Sequence, residues 1–446
     1  MASTLHPHAL HFSRPAPSYW EASAGPLAIA APPLAAAESC EVAIIGGGVT
    51  GLSAALELAQ SGVDVRVLEA GHIGWGASGR NGGFACIGSH KLPYPAMIRR
   101  YGLQATQAYY ANMRESVALV RSLLERYGID AWASGAGEVT LAHRPNRIAE
   151  LHAEREFLKT TFGEDTEFLP KEELVRLGLD GPGFFAGLKA HTGFGLHPLN
   201  YVRGLARAAA TAGAKLHAQS PLIRWEQSAE GHLLSTPGGT LKARHVIVAS
   251  NGYTPENLSR HHQGRLLPAL SSILVTRPLS EDERHAQGWT SPLMAFDSRN
   301  LLHYFRLLPD GRFLFGGRGG TDASAEGDAA YRPVLTGAFH RLFPAWRDAE
   351  ITHFWRGYVC LAYDRVPFIG ALDGRRSVWT AIAYHGNGVA MGTWSGRTVA
   401  RLITGTAAPD GISPVLTRRL AHFPLPAFRP AYLKGAYLWY GWQDER

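Results

Sequence analysis

A chain of 446 residues, 46% of them hydrophobic, 10% aromatic and 18% charged, is too long for one ordinary core and too apolar for global disorder, so two successive or interleaved domains are expected. The net charge of +7 is spread along the chain without a block of like charge, which disfavours nucleic acid as a partner and leaves a mild field for anionic small molecules. Three cysteines, Cys40, Cys86 and Cys360, make neither a disulfide framework nor a metal-ligand spacing, which fits a reducing, cytoplasmic compartment, and no apolar run approaches the roughly 20 residues of a membrane span.

Residues 1–39 are rich in Pro, Ala and His and read as an arm lying over the surface; Leu27 to Ala37, broken by Pro32 and Pro33, is an extended lead-in rather than a signal peptide. Cys40 to Ile45 is a short apolar run before glycines and predicts a buried parallel strand. A small-residue helix over Leu52 to Ser61 follows, and Val63, Val65 and Val67 alternate into a second strand ending at Glu69. Tyr109, Met113, Val117, Val120 and Leu124 recur at helical spacing up to Gly128, and Lys171 to Leu177 is a shorter helix. A helix over Leu199 to Ala212 leads to strands at Leu216, Leu222 to Trp225 and His245 to Ala249. Ile273 to Phe315 is strand-rich, with a hairpin turn at Leu308-Pro309-Asp310-Gly311. Val378 to Ala383, Gly388 and a helix over Trp394 to Ile403 repeat the order strand, turn, helix, and the aromatic tail from His422 to Trp442 reads as a strap over the nucleotide-binding part.

Gly46, Gly48 and Gly51 form G-x-G-x-x-G between that first strand and helix. The first allows a tight turn, the second lets a pyrophosphate approach the backbone, and the third lets helix and strand pack closely. Val49 and Thr50 offer free N–H groups at the positive end of the helix. Glu69, with Ala70 behind it, ends the next strand where a carboxylate meets an adenosine ribose and repels a 2′-phosphate. The loop Gly74 to Gly83 interleaves glycines with Ser78, Arg80 and Asn81, a donor-rich segment unusual in nicotinamide folds and suited to a flavin.

These segments carry a resemblance. Glu41 to Gly83 resembles the start of the D-amino-acid-oxidase-like FAD-dependent oxidoreductases, especially the gamma-glutamylputrescine-oxidase branch. Ser18-Tyr19-Trp20, His197-Pro198-Leu199-Asn200, Asn300 to Arg306, Asp364-Arg365-Val366-Pro367 and Tyr384 to Val389 recur in matching order. The resemblance implies an α/β chain, α+β overall: a Rossmann-like FAD-binding domain from residues 40–90, 195–255 and 350–408, an inserted substrate domain of antiparallel sheet plus helices from 91–194 and 256–349, and a strap from 409–446. It implies non-covalent FAD held by Gly46, Gly48, Val49, Thr50, Gly51, Glu69, Ala70, Gly76, Ala77, Ser78, Arg80, Asn81, Gly82 and Gly83, by Leu222 at the nucleotide end, and by Gly386, Asn387, Gly388 and Val389 at the pyrimidine edge of the ring. Gly76 follows Trp75 where some relatives carry a flavin-linking histidine, and Cys360 is read as an inert thiol.

The implied reaction is hydride transfer from the carbon beside an uncharged amine to FAD, giving an imine that hydrolyses, with oxygen or another electron acceptor reoxidising the flavin. Tyr304 and Arg306 share one strand face, and Arg306 is expected either to fork a substrate carboxylate or to make an inter-domain salt bridge. Arg318 is a further candidate anion contact. His385 is a candidate acceptor for the substrate's ammonium proton, or packs behind the flavin. No metal site is expected. A dehydrogenase passing electrons to a quinone, demodification of a tRNA base, and flavin binding without turnover are the competing readings.

Overall fold

The computed structural model describes residues 5–408 and 411–446; the outermost residues of the expected arm and the first two of the expected strap lie outside them. The first sheet has a main path Phe368–Ala371, Val378–Ile382, Thr240–Val248, Ala37–Ile45, Val65–Leu68 and Lys215–His217, parallel except for the first pair, and Gly231–Ser235 and Arg224–Ser228 add an antiparallel hairpin on Thr240–Val248. In the central strand β1 (Ala37–Ile45), Val42 to Ile45 are all buried, as two covered faces require. Helix α1 (Val49–Gln60) returns the chain to β2 (Val65–Leu68). A Cβ on Gly51 would fall on the Gly46 carbonyl, so the third glycine of the motif sets how closely helix and strand meet.

The second sheet lies mostly in later sequence. In chain order its strands are β3 (Glu138–Leu141), β4 (Thr166–Pro170), β5 (Ala186–Ala190), β6 (Leu266–Thr276), β7 (Met294–Asp297), β8 (His303–Leu307), β9 (Phe313–Arg318) and β10 (Ile351–Ala362). Their spatial order is β10-β6-β9-β8-β7-β3-β5-β4, antiparallel except for β7 beside β3. The hairpin between β8 and β9 closes at Leu308 to Gly311, with Gly311 at φ +81° and the Leu308 N–H on the Arg312 carbonyl at 2.8 Å. One face of this sheet carries a core of Phe305, Phe313 and Phe315 against Phe339, Phe343 and Trp346. The other face looks toward the first sheet.

Three features depart from the sequence reading. β10, expected with the nucleotide-binding segments, pairs along its whole length with β6 in the second sheet. The helix α2 (Leu103–Arg126), expected in the inserted part, buries Tyr109, Met113, Val117 and Val120 in the core of the first sheet. The tail is a helix, α3 (Arg429–Asp444), and it docks on the second sheet: buried Arg429 bonds the Leu266 carbonyl and Glu256, while the Asp444 carboxylate accepts from the N–H groups of Asn300 and Leu301. Leu433 and Tyr437 pack there against Leu267, Ala269 and Leu361, so apolar contact and the polar ties of Arg429 and Asp444 act together. Leu222 lies just outside a strand, which begins at Arg224.

Candidate active site

The turn after β1 places Gly46 at φ +114°, and Gly48 caps α1 without a side chain. Ser78 Oγ accepts the Val49 N–H at 3.0 Å, and a Cβ on Gly48 would stand 2.5 Å from that oxygen. Glu69 is buried at the end of β2; its carboxylate accepts the N–H of Gly47 at 2.7 Å and of Gly71 at 2.9 Å. Burial pushes its carboxyl above the ordinary range, and the two N–H donors pull against that shift.

The loop that follows is tied from several directions. The Trp75 indole donates to the Arg14 carbonyl, Trp20 to Asn81 and Trp355 to Arg80, each at 2.8 Å. Arg80 lies over the Trp75 ring at 4.1 Å. Asn81 uses its amide oxygen to take the Gly83 N–H at 2.8 Å. The N-terminal arm is therefore part of the loop's scaffold, because Arg14 and Trp20 both belong to it.

Between the sheets lies a cavity of about 500 Å³. Its first wall is the cradle: Gly46, Gly48, Val49, Thr50, Glu69 and Ala70 line it, and so do Gly76, Ala77, Ser78, Arg80, Asn81 and Gly82. Leu222 lines it together with Ser220, and Gly386, Asn387, Gly388 and Val389 close it at the start of a helix over Gly388–Thr404. Asn387 Nδ2 anchors that closing loop to the carbonyls of Ile87 and Gly88 at 2.9 and 3.2 Å. Gly51 and Gly83 stand behind the wall, shaping backbone. A trough floored by glycine at the N-terminus of α1 suits a pyrophosphate, and the donor set fits FAD.

The second wall is one face of the second sheet. Strand pairing sets Ile273, Gly316, Tyr304, Phe296 and Thr140 in one row across five strands, and all but the Cβ-less Gly316 line the cavity. Tyr304 shares a hydrogen bond with Ser271 at 3.0 Å. Arg318 lines the same wall and donates one N–H to the His385 carbonyl at 3.1 Å.

Two expected site residues lie elsewhere. Arg306 shares the Tyr304 face, but two residues further along β8 the sheet is already covered by the loop. Its guanidinium is 1% exposed, with Nε on the Gly82 carbonyl at 3.1 Å and Nη2 on the Leu196 carbonyl at 2.6 Å, and burial pushes it down to about 9. It does not line the cavity and makes no salt bridge among the described residues; it holds the loop. His385, at φ +55°, turns its ring away from the cavity. Both ring nitrogens are buried without a partner, and burial, then Lys91, push it down to about 3, so it stays neutral at pH 7.

The sequence reading missed Lys91 and Glu138. Lys91 opens onto the cavity, with its side chain accessible to that space, and forms no ion pair among the described residues; enclosure by the surrounding protein, then Arg318, draw its ammonium down to about 7. Glu138 begins β3. Neither sits in a motif, and the only available hint was a charge at the edge of an apolar segment.

Comparison with known proteins gives this geometry its context. The chain is 30% identical over 392 residues to gamma-glutamylputrescine oxidoreductase of Escherichia coli K12, covering 88% of this chain and 89% of that protein. It is 32% identical over 417 residues to a probable oxidoreductase, OrdL, of Rhizobium meliloti, covering 93% and 94%. The crystal structure of glycine oxidase from Geobacillus kaustophilus shares the fold at a TM-score of 0.69 and 24% identity, over 87% of this chain and 100% of that one. With residues 41–402 also matching the family described as FAD dependent oxidoreductase (DAO), the chain belongs to the FAD-dependent oxidoreductases of the D-amino-acid-oxidase type.

Proposed function

We propose that this protein oxidises the C–N bond of a carboxylate-bearing amine or amino acid, with non-covalent FAD as the oxidant and oxygen or another acceptor as the final electron sink. The observation that carries this reading is the single cavity shared by the glycine cradle and the Tyr304 face of the second sheet. The relatives named for a glutamylated polyamine and for glycine support the substrate class.

Gly48, Val49 and Thr50 hold the pyrophosphate at the positive end of α1, and Glu69 takes the ribose hydroxyls. Gly388 and Val389 present a second helix N-terminus at the closing loop, where N–H groups stabilise negative charge. Bound FAD supplies the hydride acceptor for the carbon that carries the nitrogen. Arg318, already oriented by the His385 carbonyl, binds the substrate carboxylate, the role expected of Arg306. Lys91 Nζ, neutral for much of the time near pH 7, accepts the ammonium proton so that the nitrogen lone pair is free. The bond to Ser271 holds Tyr304 as a fixed wall that orients the substrate and excludes water.

Cys360 lines the cavity, but burial raises its thiol to about 12, so it is a poor nucleophile toward the flavin and the cofactor stays unlinked. Anaerobic bleaching of the bound flavin by a panel of amines and amino acids tests the proposal. Reduction by carboxylate-bearing amines is expected; a flavin that no member of the panel reduces overturns it.

A further inference from the structure

The cavity has a second pole, distant from Arg318. Across β3, β5 and β4, Glu138 pairs with Ala190 and Ala190 with Thr166, so the three form one lateral row. All three line the cavity. Glu138 is 7% exposed and forms no ion pair among the described residues; the Cys86 thiol is its hydrogen-bond partner. Thr166 is 3% exposed, and its Oγ1 has no hydrogen-bond partner among the described residues. From the facing wall, the helix Ile148–Phe162 brings Glu154, open to the cavity and likewise outside any ion pair among the described residues. Tyr94 lies beside both carboxylates.

A buried carboxylate and a buried hydroxyl left short of donors are costly to a fold unless something else completes them. Here burial, reinforced by Glu154, raises the Glu138 carboxyl to about 8, the condition of an acid short of a cation. Among the described residues neither Arg318 nor Lys91 pairs with that carboxyl. Arg318 is on β9, three strands from β3 and so roughly 14 Å across the sheet, and Lys91 makes no ion pair with Glu138. Resting on the amine-oxidising reading of the cavity, we propose that Glu138, with Glu154 and Thr166, forms a subsite for a second, cationic nitrogen of the substrate, remote from the C–N bond that is oxidised. The substrate is thus an extended molecule with a reacting amine near the flavin loop and an ammonium or guanidinium at its far end. Thr166 accepts one N–H of that group, and the carboxylates take its charge.

The test is equilibrium dialysis of hexane-1,6-diamine and hexan-1-amine against the anaerobic FAD-loaded protein, followed by flavin absorbance in the same samples. The diamine should bind at least tenfold more tightly than the monoamine, the margin of one charge-assisted hydrogen bond. Glu138→Gln should erase that margin without changing monoamine binding, and Thr166→Val, which keeps shape, should reduce it. Equal affinity of the wild type for both amines, or a Glu138→Gln variant that keeps the preference, overturns the subsite. Preferential binding of the diamine supports the subsite whether or not these carboxylate-free amines bleach the flavin; bleaching by the carboxylate-bearing panel with no diamine preference supports amine oxidation and overturns the subsite.

Discussion

The guanidinium of Arg306 holds the carbonyl of Gly82 at 3.1 Å from beneath, joining a strand of the second sheet to the loop that walls the cavity from the first. A second bond at 2.6 Å ties the same side chain to Leu196. Replacing Arg306 with Met removes both donors and leaves two carbonyls short of partners, at a cost of about 2–4 kcal/mol. FAD content after purification and the urea midpoint should both fall. A variant that keeps its flavin and stability but loses affinity for carboxylate-bearing amines would return Arg306 to the role of substrate clamp.

Gly51 and Gly48 should differ in what they tolerate. A Cβ on Gly51 meets the backbone carbonyl of Gly46, which cannot move without breaking the turn, whereas one on Gly48 meets the Ser78 hydroxyl, which can rotate. Gly51→Ala is therefore expected to abolish FAD loading. Gly48→Ala should weaken it, and the double change with Ser78→Ala should recover part of the loss. The flavin-to-protein absorbance ratio measures all three.

Precipitation with acid should release the flavin into the supernatant, because burial raises the Cys360 thiol to about 12 and keeps it protonated and unreactive at neutral pH. Yellow colour retained in a washed pellet would identify a covalent link.

The pH dependence of flavin reduction should report Lys91, which faces Arg318, Cys86, His90 and His385. The neutral amine is the working form, so the second-order rate should rise as pH increases through about 7. Lys91→Met should lose that limb while retaining FAD. A rising limb that survives the substitution unchanged would move the proton acceptor elsewhere.

Strand, glycine turn and helix were legible in the sequence because their constraints are local: Gly51 must lack a side chain whatever surrounds it, and Gly311 must reach φ +81° to close its hairpin. The destination of Arg306 was not, since alternation along β8 fixes its face but not the point where the Gly82 loop begins to cover that face. Which of the two places His385 takes was left open for a related reason. Its loop was recognisable, but the positive φ that turns the ring inward depends on the Cys360 carbonyl that takes its N–H at 3.3 Å. The pattern of β10 suits either sheet, and only pairing with β6 decides. Lys91 and Glu138 reach the same cavity from segments nearly fifty residues apart, and nothing in either segment signals the other.

The carboxylate of Asp444 closes onto Asn300 and Leu301, the residues that lead into β8. During translation the glycine cradle leaves the ribosome more than 300 residues before the closing loop at Gly386, and this clasp follows later still. The cavity therefore cannot close until that loop has emerged, and the cradle must wait with part of its lining exposed. A nascent chain stalled before Asp444 would carry every residue of the cavity wall yet lack the final tie on the strand that presents Tyr304.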